Sequence, residues 1–257
     1  MAATAEKDSL QQRIDTVMAR VPDMPAATAG AAADMLTPEA LAADIGRLEG
    51  WLETQGIAAE EMDARTRAAY MIGGVSWPVA CWLAAFDLLD MPALGAVAVG
   101  QERYWWRDGS FEQEYVRYPL GLDAAPGAAD ARAALEQMFA PLIAATMVTS
   151  GLSPGAQWRL VADSVAQGYL HVGKALGEVE RAMDRAARLL AEGRLHNGKT
   201  AFVSLDVPRG PRYFVSRGGC CRYYTTRGGE YCSSCVLRSR DDQMARYRDY
   251  FISVAAE

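Results

Sequence analysis

Four of the five cysteines lie in one short stretch near the C-terminal end of the 257 residues. Cys220 and Cys221 are adjacent, ten residues separate them from Cys232, and two more separate Cys232 from Cys235. Thiols at this density, in a chain without a secretion signal, indicate a metal or cluster site rather than disulfides. The fifth cysteine, Cys81, lies in an apolar run and is expected to be a small buried thiol.

The spacing bears on the identity of the metal. Successive side chains of an extended strand point to opposite faces, so an adjacent pair does not easily converge on one ion. Structural zinc sites usually take cysteines separated by two to four residues, and only Cys232 and Cys235 fit that habit. A [2Fe–2S] cluster has two irons and usually takes four cysteines, which gives neighbouring thiolates more than one way to reach it. The spacing favours such a cluster, with zinc and with redox or disulfide chemistry as alternatives.

Glycines flank both cysteine pairs, at Gly218, Gly219, Gly228 and Gly229. Glycine permits backbone angles that other residues avoid, and such angles would let backbone N–H groups wrap toward sulfur. Ordinary turn formation is the alternative interpretation of the same residues.

The order Cys-Cys, ten residues, Cys, two residues, Cys resembles the signature of ferric-siderophore reductases of the FhuF type. The resemblance also takes in residues 211–217, where the family tends to have a short strand ending in a basic residue, and more diffusely residues 140–176. It implies a [2Fe–2S] cluster that passes one electron to iron(III) held by a siderophore, often a hydroxamate. It also implies an electron donor such as a ferredoxin or a reductase. The implied cluster ligands are Cys220, Cys221, Cys232 and Cys235. The chain departs from the family by carrying 22 residues after Cys235, and whether they cover the cluster is open.

Charge is spread unevenly along the chain. The net charge of −6 argues against general attraction to nucleic acid or anionic lipid. From Arg209 onward, however, nine Arg and five Asp or Glu give +4, so the preceding 208 residues carry −10. Basic side chains behind an anionic cluster would stabilise an added electron. The alternatives are a solvated basic face or salt bridges to the acidic remainder. The candidate residues are Arg217, Arg222 and Arg227, with Arg212, Arg238 and Arg240 in the same segment.

An aromatic run in residues 95–118 predicts strands joined by a hairpin, with Asp108-Gly109 as its turn. Trp105 and Trp106, flanked by arginines, are candidates to line a pocket for a bulky anionic iron chelate. The alternative is that alternate aromatic side chains pack on the two faces of a sheet.

Apolar periodicity predicts helices through most of the chain and strands within 95–118 and 200–224. The run 69–86 is long and uncharged; we expect a buried helix pair or a helix broken near Pro78, with a membrane span as the alternative. The other predicted helices are 9–21, one from the Thr37 cap through Leu41, Ile45, Leu48 and Leu52, one beginning near Ala58, one through 135–143, one from Ser153-Pro154, and a last one after Ser239.

The sequence therefore predicts an α+β fold, mainly helical with a few short strands. Residues 1–198 are expected to form a helical scaffold and siderophore-binding region. Residues 199–257 are expected to form the cluster-binding segment with a final helix.

In function, the chain resembles a one-electron reductase of ferric chelates. Hard oxygen donors such as hydroxamates favour the harder iron(III), so one electron weakens their hold on the metal. No signal-peptide core is visible, which favours the cytoplasm, and a peripheral membrane contact stays open. Two alternatives remain: a zinc-stabilised structural or interaction module, and a siderophore-binding or biosynthetic helper whose cluster serves stability only.

Overall fold

The computed structural model describes residues 2–108, 111–124, 130–207 and 210–254. Within these residues the chain forms eight α-helices and seven β-strands. The helices are α1 (Ala2–Arg20), α2 (Pro38–Ala43), α3 (Ile45–Thr54), α4 (Ala64–Leu88), α5 (Ala131–Ser150), α6 (Pro154–Leu176), α7 (Val179–Leu190) and α8 (Arg240–Val254). The strands are β1 (Ala27–Ala29), β2 (Leu94–Val99), β3 (Glu102–Asp108), β4 (Phe111–Arg117), β5 (Leu120–Ala124), β6 (Ala201–Leu205) and β7 (Arg212–Ser216).

Helix accounts for 56% of the chain and strand for 16%, which confirms the predicted, mainly helical α+β class. The strands form three small sheets. In the first, β5 lies between β1, to which it is parallel, and β2, to which it is antiparallel. The strands β3 and β4 form the predicted antiparallel hairpin, and β6 pairs with β7 in a second hairpin. The predicted turn at Asp108-Gly109 lies partly outside the described residues.

The core is built around the packing of α4 against α6. A Cβ atom on Gly168 of α6 would lie 2.8 Å from the backbone carbon of Ala80 in α4, so only glycine permits this approach. Ser76 and Ser164 share a buried hydrogen bond of 2.7 Å between the two helices. Trp82 and Tyr169 are among the largest fully buried side chains. This helix pair supports the loops that carry the cysteines.

The expectation of a helix pair or a break near Pro78 is wrong, because α4 runs without interruption from Ala64 to Leu88. Proline inside a helix removes one backbone hydrogen bond and costs about 3 kcal/mol. Most residues of α4 are buried, and burial of that apolar surface outweighs this cost. By length and composition α4 is also long and apolar enough to cross a membrane. Of an 18-residue apolar stretch within α4, 72% is buried inside the fold, as in a core helix.

Two further helix boundaries differ from the predictions because aspartates act as caps. The stripe beginning at Leu41 divides into α2 and α3 at Asp44, whose carboxylate accepts the N–H of Arg47 at 3.0 Å. The helix expected near Ala58 begins only at Ala64, where Asp63 accepts the N–H of Thr66 at 2.7 Å.

The segment after residue 198 packs on α6 through its β6–β7 hairpin, with Val215 against Ala166 and Leu170. On another part of the hairpin, α8 covers Phe214, whose ring centroid lies 3.7 Å from that of Tyr247. Nothing in these contacts tests the division at residue 198, which stays a prediction.

Candidate metal centre

The four C-terminal cysteines line one small pocket. Cys220 and Cys221 follow the end of β7 after a Gly-Gly pair. Cys232 and Cys235 form a tight turn in which the N–H of Cys235 donates to the carbonyl oxygen of Cys232 at 3.0 Å. Neither pair lies in a regular strand, so the expected difficulty of aiming adjacent side chains at one site does not arise.

The backbone after the first pair turns sharply. Arg222 has a left-handed φ of 62°, and its N–H donates to the sulfur of Cys220 at 3.4 Å. Of the four flanking glycines, only Gly228 has a positive φ, at 71°. Gly218 and Gly219 are instead required for close approach, because a Cβ atom on either would lie within 3.0 Å of a neighbouring atom. The expectation of unusual backbone angles therefore holds at Gly228 and not at Gly218, Gly219 or Gly229.

The first cysteine pair is anchored to α6 by Asp163, a residue that the sequence reasoning missed. Its side chain is only 4% exposed, and its carboxylate accepts hydrogen bonds from residues just before Cys220. The N–H of Gly218 donates to Oδ1 at 2.7 Å, and the N–H of Gly219 donates to Oδ2 at 2.8 Å. The hydroxyl of Thr200 donates to Oδ1 at 2.6 Å, and Nε of Arg217 donates to Oδ2 at 3.3 Å.

The second pair is anchored by Arg238 and by the first turn of α8. The Arg238 guanidinium donates to the carbonyl oxygen of Tyr231 at 2.7 Å and to that of Cys232 at 3.0 Å. It also pairs with Asp242 at 2.7 Å. Gln243 donates to the carbonyl oxygen of Cys235 at 2.9 Å. The residues after Cys235 therefore hold the backbone of the second cysteine pair.

The thiols influence one another's protonation. A hydrogen bond from the Cys232 thiol lowers the pKa of Cys221, against the effect of burial, and the N–H of Tyr223 and the Arg217 guanidinium lower it further. The same contact raises the pKa of Cys232. Burial raises the pKa of Cys220. The thiolate is the form that binds metal, and the lowered pKa of Cys221 favours that form at this residue.

Of the candidate arginines, Arg217 is the one whose charge acts on three of the thiols, those of Cys220, Cys221 and Cys232. Burial alone would lower its pKa, but Asp163, Cys221 and Cys232 together raise it. The guanidinium is 18% exposed. Arg217 therefore keeps a positive charge beside the cysteine pocket.

Arg222 and Arg227 form salt bridges to the acidic scaffold, which was the alternative interpretation of the basic segment. Arg222 lines the pocket and pairs with Asp63 at 2.8 Å. Arg227 is 69% exposed and pairs with Glu60 at 3.5 Å and Glu61 at 3.7 Å. These pairs attach the cysteine loop to the start of α4.

The two tryptophans lie on opposite faces of the β3–β4 hairpin, because adjacent strand residues alternate. Trp106 lines a cavity of about 670 Å³ together with Trp77, Tyr104 and Tyr118. Trp105 does not line this cavity, and it is 58% exposed. Neither tryptophan packs into the core.

The donor set of four cysteines fits a [2Fe–2S] cluster. Within the described parts of the chain, no three His, Cys, Asp or Glu side chains meet in a group that could hold one metal ion. A closed zinc site needs four such ligands around one point. Four thiols around one pocket are the usual complement of a [2Fe–2S] cluster, whose two irons divide them.

Residues 217–237 match the family model described as the FhuF 2Fe-2S C-terminal domain. The match includes all four clustered cysteines and also Arg217, Arg222 and Arg227. Searches of curated proteins and of solved structures give no match for this chain. The chain therefore carries, at residues 217–237, a segment that matches a C-terminal 2Fe-2S domain of the FhuF type; this match gives a [2Fe–2S] cluster as the cofactor and disfavours the zinc alternative.

Proposed function

We propose that this protein is a ferric-siderophore reductase that acts in the cytoplasm. The FhuF-type domain indicates a redox role within a family of iron–sulfur siderophore-iron reductases. The observation that carries the proposal is the pocket lined by all four cysteines inside the matched segment. Partly exposed tyrosines stand at or near its edge: Tyr223, which lines the pocket, is 37% exposed, and Tyr231, next to Cys232, is 45% exposed. A bulky chelate can thus approach the thiols without entering the core.

Cys220, Cys221, Cys232 and Cys235 would hold the cluster. When bound, the cluster supplies storage for one electron, received from a donor such as a ferredoxin or a reductase. Arg217 keeps a positive charge beside three of the thiols, which would favour the more negative reduced state. The electron converts chelated iron(III) to iron(II), for which hydroxamate oxygens have a lower affinity. No acid or base on the protein is required, because no covalent bond is made by a side chain.

The proposed substrate is a ferric siderophore, with hydroxamates as the first class to test. The negative net charge gives no reason to expect nucleic acid as a partner. A peripheral membrane contact is retained as a proposal without an assigned surface.

The test is an anaerobic mixing experiment. We expect chemically reduced protein to be reoxidised by a ferric trihydroxamate, with one iron(II) captured by a coloured iron(II) chelator for each cluster oxidised. The gallium(III) form of the same hydroxamate is the matched control, because it has the same shape and charge but accepts no electron under these conditions. Reduced protein that stays reduced with the ferric chelate would instead support a helper whose cluster serves stability only.

The Trp106 cavity is the proposed place for the chelate. Its volume lies within the range of about 300–1,000 Å³ found for small-molecule sites. Aromatic side chains extend from this cavity in the direction of the cysteines. Tyr104 lines the cavity, and its ring centroid lies 6.0 Å from that of Tyr115. Burial raises the pKa of Tyr115, and the nearby Tyr104 and Tyr223 raise it further. Tyr223 lines the cysteine pocket, so Tyr115 lies between the cavity wall and that pocket.

Trp106→Ala is therefore expected to raise KM for the ferric chelate about tenfold with a smaller change in kcat, since loss of an aromatic contact removes binding that is equal in ground and transition states. Steady-state rates over a range of chelate concentrations measure both constants. Trp105→Ala is the matched comparison, with the same change one residue away on the other face. Equal effects of the two substitutions on KM would contradict this placement.

A further inference from the structure

We propose that Asp163 of α6 is the positioning residue that orients Cys220 and Cys221 for the cluster. The inference rests on the assignment of the four cysteines as ligands, but it does not depend on the substrate. It concerns a residue well outside the matched segment 217–237. The support comes from hydrogen bonding, from the space around the glycines and from the charge of Arg217.

Both carboxylate oxygens of Asp163 accept hydrogen bonds from the loop that leads to Cys220. Each carboxylate oxygen accepts one backbone N–H, from Gly218 and Gly219 respectively, at 2.7 and 2.8 Å. Burial raises the pKa of Asp163, whereas the backbone N–H groups and the guanidinium, which can only donate, favour the ionised carboxylate. Carboxylate acceptors form hydrogen bonds that are shorter and about twice as strong as neutral ones. Two consecutive peptide planes immediately before Cys220 are thereby fixed relative to α6.

The two glycines before Cys220 pack too closely against their neighbours to carry a side chain. A Cβ atom on Gly219 would lie 2.9 Å from the backbone nitrogen of Leu160 and 3.0 Å from the backbone carbon of Arg159. A Cβ atom on Gly218 would lie 2.7 Å from the hydroxyl oxygen of Thr200. The loop therefore lies directly on the surface of α6 at the level of Asp163. This contact, rather than conformational freedom, explains the Gly-Gly pair before the cysteines.

The Asp163 carboxylate also forms an ion pair with Arg217. Arg217 donates to Asp163 and also lies beside Cys221 and Cys232. A buried guanidinium without a partner would be strongly unfavourable. Asp163 thus holds Arg217 in place while its N–H contacts hold the paired cysteines, so one residue fixes both the ligands and the cation behind them. Residues in this role typically change metal affinity by about 10–100-fold when replaced.

The first test is Asp163→Asn in the full-length protein. The amide keeps one acceptor oxygen but presents an NH₂ group to donors on the other side, so it cannot satisfy both glycine N–H groups. We expect the cluster to be lost at least about tenfold faster to an iron chelator. We also expect changed g values in the electron paramagnetic resonance spectrum of the reduced protein. Asp87→Asn is the matched control, because Asp87 accepts from Tyr169 at 2.9 Å within the scaffold.

The second test is Gly219→Ala, which keeps Asp163 and its charge but lifts the loop from α6. It decides the same question if Asp163→Asn does not fold. Gly155→Ala on the same helix is its control, because a Cβ atom at Gly155 has nothing within 4 Å. We expect faster cluster loss and changed g values for Gly219→Ala alone. Wild-type g values and a wild-type rate of cluster loss in folded Asp163→Asn, or in Gly219→Ala, would overturn the proposal.

Discussion

Cys221→Ser and Cys232→Ser are each expected to abolish binding of a normal [2Fe–2S] cluster. All four thiols line the same pocket, and the cluster needs thiolates, which a serine hydroxyl cannot supply at neutral pH. Iron and acid-labile sulfide, measured per protein chain after anaerobic reconstitution, give the result directly.

The fifth cysteine provides the control for these variants. Cys81 is fully buried in α4, and burial raises its pKa. It lies outside the cysteine pocket, so Cys81→Ala should keep full iron and sulfide content. A normal cluster in either serine variant would show that the four-cysteine assignment is wrong.

Arg238→Ala is expected to release the turn that carries Cys232 and Cys235. The guanidinium is 13% exposed and makes three hydrogen bonds, two of them to carbonyl oxygens of that turn. Hydrogen bonds that involve a charged group contribute about 1.5–3 kcal/mol each. We expect the free energy of unfolding of the apo-protein to fall by about 2 kcal/mol, as measured by urea denaturation. Cluster loss to an iron chelator should become faster in the same variant.

Arg246→Ala is the matched comparison for Arg238→Ala. Arg246 pairs with the same Asp242 at 3.1 Å, but it is 45% exposed, and among the described residues it forms no hydrogen bond or ion pair with the cysteine turn. Exposed ion pairs of this kind contribute about 0.5 kcal/mol or less. If the two alanine variants lowered the free energy of unfolding by the same amount and lost the cluster at the same rate, the cysteine turn would not depend on Arg238.

The cysteine pocket was predictable because its residues are neighbours in sequence. The spacing of Cys220, Cys221, Cys232 and Cys235 indicated the cofactor, and the strands predicted within residues 200–224 include the β6–β7 hairpin before it. The cap at Ser239 was also readable, and its hydroxyl accepts the N–H of Asp242 at 3.2 Å. Local signals of this kind depend on backbone geometry over a few residues.

The support behind the pocket was not predictable, because it comes from distant parts of the chain. Asp163 lies 55 residues before Gly218 in sequence, and no periodicity links the two. One signal was present: an acidic residue among the buried valines of α6 needs partners. Nothing in the sequence said where those partners were. The same limit applies to the salt bridge of Arg222 with Asp63.

The errors in helix boundaries have a related cause. A helix beginning near Ala58, as predicted, would place Glu60 and Glu61 in its first turns, where the positive helix end attracts acidic residues. In the structure they pair with Arg227 from the cysteine loop, and Asp63 caps the helix instead. The cap at Asp63 therefore sets the start of α4, and the two glutamates lie before it. For α4, burial decided against the break that Pro78 indicated.

The central claim is that this chain uses its C-terminal cysteines to hold a one-electron [2Fe–2S] centre. The most direct measurement is an anaerobic reductive titration of the purified full-length protein, followed by visible absorption and electron paramagnetic resonance. We expect two iron and two sulfide per chain, and visible absorption that bleaches with one electron per chain. A paramagnetic signal should appear as it bleaches, with an intensity of one spin per chain. A colourless protein with one zinc per chain and no such signal would contradict the account.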